Sequence, residues 1–152
     1  MMDTTNALPT KLAEIVEDFQ MSTGREKIDM LLGYSQEMPP LPEHLQANHE
    51  QMDFVHECMT PVYVQAEMQA GGLHFFFDVP PESPTVRGLA AILAAGADGA
   101  TPEEVIAIPA NFYLAMGLQE LITQQRLNGF VAILGHMKRL AAEQLEKDGS
   151  AG

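Results

Sequence analysis

Residues 61–79 read PVYVQAEMQAGGLHFFFDV, and their period of two decides the fold class. Leu73, Phe75, Phe77 and Val79 fall on one face, and His74, Phe76 and Asp78 on the other. That is the alternation of a half-buried strand. A second run, Pro61 to Met68, precedes it. Gly71-Gly72 between them is a hairpin signal, because glycine supplies the positive φ of a tight turn. A short strand around Gln51 to Val55 pairs with this hairpin, so His56-Glu57-Cys58-Met59 sits at a connection between strands. A side chain there is presented rather than packed away.

On either side the period is helical. Leu12, Ile15, Val16 and Phe19 share one face of a helix over Pro9 to Phe19. Thr23-Gly24-Arg25-Glu26 reads as a capping box opening a second helix whose inner face is Ile28, Leu31, Leu32 and Ser35. Met38-Pro39-Pro40-Leu41-Pro42 stops it. Beyond the hairpin, Thr85 to Ala97 is an alanine-rich helix closed by Gly96 and Gly99. Thr101-Pro102-Glu103-Glu104 caps a short helix over 102–107, and Pro109 to Gly117 forms a second short element. Arg126-Leu127-Asn128-Gly129 introduces the last helix, with Phe130, Ile133, Leu134, Met137, Leu140 and Ala141 at helical spacing. Two N-terminal helices, a small sheet of about three antiparallel strands and C-terminal helices make an α+β domain of two layers. It is expected as one domain over 1–152, with 1–8 and 148–152 flexible.

Composition narrows the function classes. The chain is 152 residues long and 46% hydrophobic, enough for one compact core. No stretch approaches the roughly 20 apolar residues that span a bilayer. Met1 to Thr10 lacks the basic and apolar regions of a secretory signal, so a cytoplasmic location is expected. Eight Lys and Arg stand against 21 Asp and Glu, a net charge of −13. Phosphate backbones and anionic lipid surfaces repel such a chain, so neither nucleic acid nor membrane is an expected partner. A protein with basic patches would be attracted instead.

Cys58 is the only cysteine, which rules out an internal disulfide and any site built from several thiolates of one chain. It is either a buried inert thiol or an exposed reactive one. His56 and Glu57 pull its reactivity in opposite directions: a carboxylate neighbour raises the thiol pKa and a protonated imidazole lowers it. A thiolate in such a place can attack a persulfide sulfur carried by another protein. With no second cysteine to resolve it, the new persulfide would persist until an acceptor arrived. None of the five histidines forms an H-x-x-x-H or H-E-x-x-H pair, and His136 is expected near the exposed side of the last helix. No metal or cofactor is expected. Arg87 and Arg126 are two of few basic residues. Each is either an ordinary ion-pair partner or a cation near the thiol loop. Met30, Met116 and Met137 read as core.

Cys58 with Thr60 and Val62-Tyr63, and further on Val86-Arg87-Gly88-Leu89, resemble the C-Q-S-x-V-W and V-[KR]-G-L segments of the SufE family of sulfur acceptors. Thr101-Pro102-Glu103-Glu104-Val105 resembles T-P-x-[DE]-[IV]. Phe112, Gly117-Leu118, Leu121 and Arg126-x-Asn128-Gly129-Phe130 follow F-x4-G-L…L-x4-R-x-N-G-[LF]. The motifs occur in the family's order from about Leu8 to Leu145.

The resemblance implies a fold like that of the IscU scaffold, with one cysteine on a mobile loop. It implies that Cys58 takes sulfur from a persulfide on a pyridoxal-phosphate cysteine desulfurase (SufS-like), stimulating that enzyme. The sulfur would pass on to an iron–sulfur scaffold complex (SufBCD-like). Arg126 would be the matching family arginine, with Arg87, Glu57 and His56 as supporting or interface residues. The protein would then be an accessory to an enzyme, not itself an enzyme. An independent one-cysteine thiol enzyme and an acidic adaptor with a structural cysteine are the alternatives. Glu57 and Met59 stand where the family often has Gly and Gln, and Pro61 where a polar residue is common. A stiffer loop beside a carboxylate either lowers intrinsic reactivity or tunes recognition of a desulfurase.

Overall fold

A computed structural model describes residues 7–151. Helix α1, Thr10–Gln20, buries Leu12, Ile15, Val16 and Phe19, the expected stripe. Helix α2, Gly24–Glu37, opens on a full capping box: Thr23 Oγ1 accepts the Glu26 amide, and Glu26 Oε1 accepts the Thr23 amide at 2.7 Å. Its buried residues are Leu31 and Ser35, while Leu32 is exposed. The inner face is thus narrower than the apolar pattern suggests.

After the proline break come a short helix α3, Glu43–Ala47, and a single 3-10 turn. Three strands follow, β1 (Asp53–Phe54), β2 (Tyr63–Gln69) and β3 (Gly72–Asp78), antiparallel in the order β1-β2-β3. The turn between β2 and β3 is Ala70-Gly71, both with positive φ, and not Gly71-Gly72. Gly72 is needed one place later, inside the strand. A Cβ there would lie 2.7 Å from the Gly99 carbonyl carbon, where the chain leaving α4 crosses the sheet end. The crossing is fixed by the Leu73 amide on the Ala100 carbonyl and the Gly99 amide on the Leu73 carbonyl, each 2.7 Å. Close approach of two backbones displaces the turn onto Ala70.

Helix α4, Pro84–Ala97, runs through Gly96 and packs on α1, α2 and β3. Helix α5, Pro102–Ile106, has the expected capping box, Thr101 with Glu104. Helix α6, Tyr113–Met116, stops at Gly117 with a φ of 74°. Helix α7, Gln124–Ala151, starts two residues before Arg126. Thr123 is the reason: its Oγ1 accepts the Arg126 amide and its carbonyl the Leu127 amide, the bonds of a helix cap. Arg126 to Gly129 therefore lie inside the first turns of α7.

The sheet turns one face to the helices. Val64, Ala66, Leu73, Phe75, Phe77 and Val79 point inward against α4 and α7, with Phe19, Phe112, Phe130 and Met137 completing the core. Met116 is also fully buried and Met30 packs at the core's edge. This is the expected two-layer α+β arrangement, with seven α-helices among the described residues. Leu8, placed in a flexible lead-in by the sequence, is buried against the core. Residues 1–6 and 152 lie outside the described residues, and the α7 backbone continues to Ala151. No helix among the described residues is long and apolar enough to cross a membrane. Because α7 packs along β2, the loop joining β1 to β2 rests on the first turns of α7.

Candidate functional site

That loop, residues 56–61, is closed at its base by the Val55 amide donating to the Val62 carbonyl at 2.9 Å. Val55 and Val62 are both fully buried, while His56, Glu57, Met59 and Pro61 are exposed. Core residues thus hold the neck, and polar and turn-forming residues build the bulge. Cys58 lies at its centre, half-buried. Its amide donates to the Val55 carbonyl at 3.3 Å. Its side chain faces α7 at Gly129, where an added Cβ would lie 3.0 Å from Sγ. Gly129 is a seat for the thiol. Beside it, Gln125 donates to the Met59 sulfur, and Thr60 Oγ1 donates to Ser83 Oγ at 3.4 Å.

Neither flanking charge governs the thiol. Burial pushes the Cys58 pKa above the ordinary cysteine value, and a hydrogen bond from the Thr60 amide offsets part of that. Glu57 is turned to His136 at 2.8 Å, with His56 3.6 Å away. Cys58 at rest is therefore mostly protonated at neutral pH.

His136 is not near an exposed side of α7. It is buried, with Nδ1 on Asp53 of β1 and Nε2 on Glu57. Both partners are carboxylates that accept, so the two contacts are made together when the ring carries both protons. Burial alone would lower its pKa, but the hydrogen bonds to Asp53 and Glu57 outweigh it and hold the value above that of ordinary histidine. Asp53 also pairs with Arg139, which reaches Glu143 one turn on at 2.9 Å. Burial would raise the Asp53 pKa, yet bonds to His136 and Arg139 hold it low.

One strip of α7 thus serves the loop. Gly129 seats the thiol, His136 holds Glu57 seven residues later, and Arg139 holds Asp53 three residues after that. The spacing of 129 and 136 is two helical turns, a signal legible once Gly129 is known to face the loop.

The two arginines part company. Arg87 donates from Nε to the Ser35 carbonyl at 3.0 Å and from a terminal nitrogen to the Val79 carbonyl at 2.5 Å. It clasps the end of α2 to the end of β3. Arg126 is exposed in the same turns of α7 as Gln125 and Gly129, and its guanidinium has no partner among the described residues. Of the sequence-derived set, the structure gathers Cys58, Glu57 and His56 on one loop, leaves Arg126 exposed near the start of α7, and gives Arg87 to the scaffold.

The family model described as SufE, an Fe–S metabolism associated domain, matches residues 13–141. The chain belongs to the SufE family. A SufE-like protein of Mycobacterium tuberculosis, itself uncharacterised, is 38% identical over 138 residues, covering 90% of this chain and 95% of the relative. An uncharacterised SufE-like protein of Synechocystis is 34% identical, covering 88% of this chain and 82% of the relative. A cysteine desulfuration protein SufE of Plasmodium vivax is 26% identical, covering 91% of this chain and 56% of that protein. The solution structure of a hypothetical protein from Thermus thermophilus superposes with a TM-score of 0.82 at 34% identity, covering 91% of this chain and 98% of the other.

In this SufE-family chain, Gly129→Ala tests the seat beneath the thiol. Alanine inside a helix gains about 1 kcal/mol over glycine. The methyl contact with Sγ costs a similar amount, about 1 kcal/mol. Stability should stay near its original value while Cys58 is pushed outward, so a small alkylating reagent should label it several-fold faster. An unchanged labelling rate would show that the thiol does not rest on Gly129.

Proposed function

We propose that this protein accepts sulfur on Cys58 from a persulfide borne by a cysteine desulfurase, and passes it to an iron–sulfur assembly partner. The observation that carries the reading is the place of Cys58: the lone cysteine of a SufE-family chain, half-exposed on a loop that bulges from the sheet. The name of the Plasmodium relative, a cysteine desulfuration protein, supports the same chemistry.

The step balances without an external oxidant. Cys58 loses its proton, and its thiolate attacks the outer sulfur of the donor persulfide. The donor S–S bond breaks as a new one forms on Sγ, and the donor cysteine leaves as a thiolate that takes up a proton. Because burial keeps the resting thiol protonated, docking of the donor supplies the activation. Two cavities of about 590 and 400 Å³ are lined by other parts of the chain, and Cys58 lines neither. A thiol on an open loop suits a sulfur delivered by another protein better than a small substrate held in a pocket, which favours a carrier over an independent thiol enzyme. Met59, 80% exposed beside the thiol, offers an adaptable apolar contact to such a donor. The acidic surface favours basic partners, and Arg126, exposed in the first turns of α7, offers a cation to a docking donor.

Incubation with a cysteine desulfurase and free cysteine tests the reading. The intact mass should rise by one sulfur atom, located on Cys58 by peptide mapping, and desulfurase turnover should increase. Unchanged mass and turnover with the desulfurase of the same genome would sink it.

A further inference from the structure

We propose that His56, Glu57 and His136 form a binding site for one divalent zinc-type ion, built across the thiol loop and α7. The three side chains each bring one donor atom, and these atoms lie within 4.8 Å of one another. Zinc bonds of about 2.0–2.1 Å in tetrahedral geometry place neighbouring donors roughly 3.3–3.4 Å apart. The separations from Glu57 Oε1, 2.8 Å to His136 Nε2 and 3.6 Å to His56 Nδ1, straddle that value. The two imidazole rings stand at 81° with centroids 5.8 Å apart. Small rotations of the exposed His56 and Glu57 side chains bring all three donors onto one ion.

Two features raise this above a chance meeting of polar groups. His136 is a fixed ligand, its side chain only 10% exposed, with Nδ1 held by Asp53. A carboxylate on the far ring nitrogen is the outer-sphere arrangement that aims a histidine at a metal, and Arg139 in turn anchors that carboxylate. The other side is open. His56 is 72% and Glu57 48% exposed, which gives an entry path and room for a water as fourth ligand. Two imidazoles and one carboxylate select zinc-like ions over calcium or magnesium. Entry of the ion displaces the Nε2 proton to solvent and replaces the His136–Glu57 hydrogen bond with two metal bonds. The residue next to Cys58 would then be pinned to α7.

The test needs no desulfurase, so it stands or falls separately from the sulfur-transfer reading. Untagged protein, stripped with a chelator, is titrated with Zn²⁺ by calorimetry. One ion per chain should bind. His56→Gln, on the exposed loop, should weaken binding at least about tenfold by removing one ligand. Asp53→Asn keeps all three ligands and should weaken it about 10- to 100-fold. His136→Gln, checked for folding by circular dichroism, should abolish it. His44→Gln, at a histidine paired with Glu67 elsewhere, and Cys58→Ser should bind as the parent does. No saturable binding at millimolar Zn²⁺, an affinity unmoved by His56→Gln, or binding lost in Cys58→Ser would each overturn the proposal.

Discussion

Serine at position 58 is expected to abolish sulfur uptake while leaving the fold unchanged. The replacement is nearly isosteric, and a hydroxyl can still accept the Thr60 amide and rest on Gly129. A serine hydroxyl remains protonated at neutral pH and is a poor nucleophile toward sulfur, so the displacement proposed for Cys58 has no substitute in this chain. In the presence of desulfurase and cysteine, Cys58→Ser should gain no mass. Desulfurase turnover should fall to the rate seen without the protein, at an unchanged melting temperature. Stimulation kept without sulfur uptake would instead make the protein a docking adaptor with a structural cysteine.

The second large effect is on stability, at Gly88. This glycine lies where α4 crosses α2, and an added Cβ would fall inside contact distance of the Leu31 carbonyl oxygen and 2.9 Å from Leu31 Cδ1. The nearest atom belongs to helical backbone, so α2 itself must move. Movement of α2 also strains the bond from Arg87 to the Ser35 carbonyl in the last turn of that helix. Overpacking of this kind costs about 1–3 kcal/mol, with the lost hydrogen bond adding about 1 kcal/mol. The helix propensity of alanine returns about 1 kcal/mol. A net loss of about 1–3 kcal/mol lowers the melting temperature of a domain this size by roughly 2–12 °C. Gly33 is the control, since a Cβ there meets nothing within 4 Å. Gly33→Ala should hold or raise the melting temperature, and equal effects at the two positions would refute the argument.

The motif around Gly88 shows what was legible in the sequence. Val86-Arg87-Gly88-Leu89 was readable as a family-like segment, but the structure gives its Arg and Gly to the junction of α2, α4 and β3. Local signals were read well: both Thr–Glu capping boxes and the alternation of β3 appear as expected. Local sequence does not register the approach of a distant backbone, as at Gly72, and the Arg126-to-Gly129 motif does not mark the start of α7, which Thr123 caps. The place of Cys58 on a connection between strands was legible because it follows from the strands on either side. His136 was not. Helical periodicity registers apolar residues, and this one is buried by carboxylates at positions 53 and 57, far away in the chain.

The bond between Val55 and Val62 has a consequence for how sulfur could be moved. It isolates residues 56–61 as a separate unit of local unfolding, joined to the sheet only at a buried neck. Swinging the thiol outward breaks the hydrogen bond from the Cys58 amide to the Val55 carbonyl and the contacts of Glu57 with His136, of Met59 with Gln125 and of Thr60 with Ser83. These are local contacts of the loop, and no strand pairing is lost. A partner that docks with modest affinity can therefore expose Cys58 and release it again, while the amide of Val55 stays as protected from solvent exchange as the core.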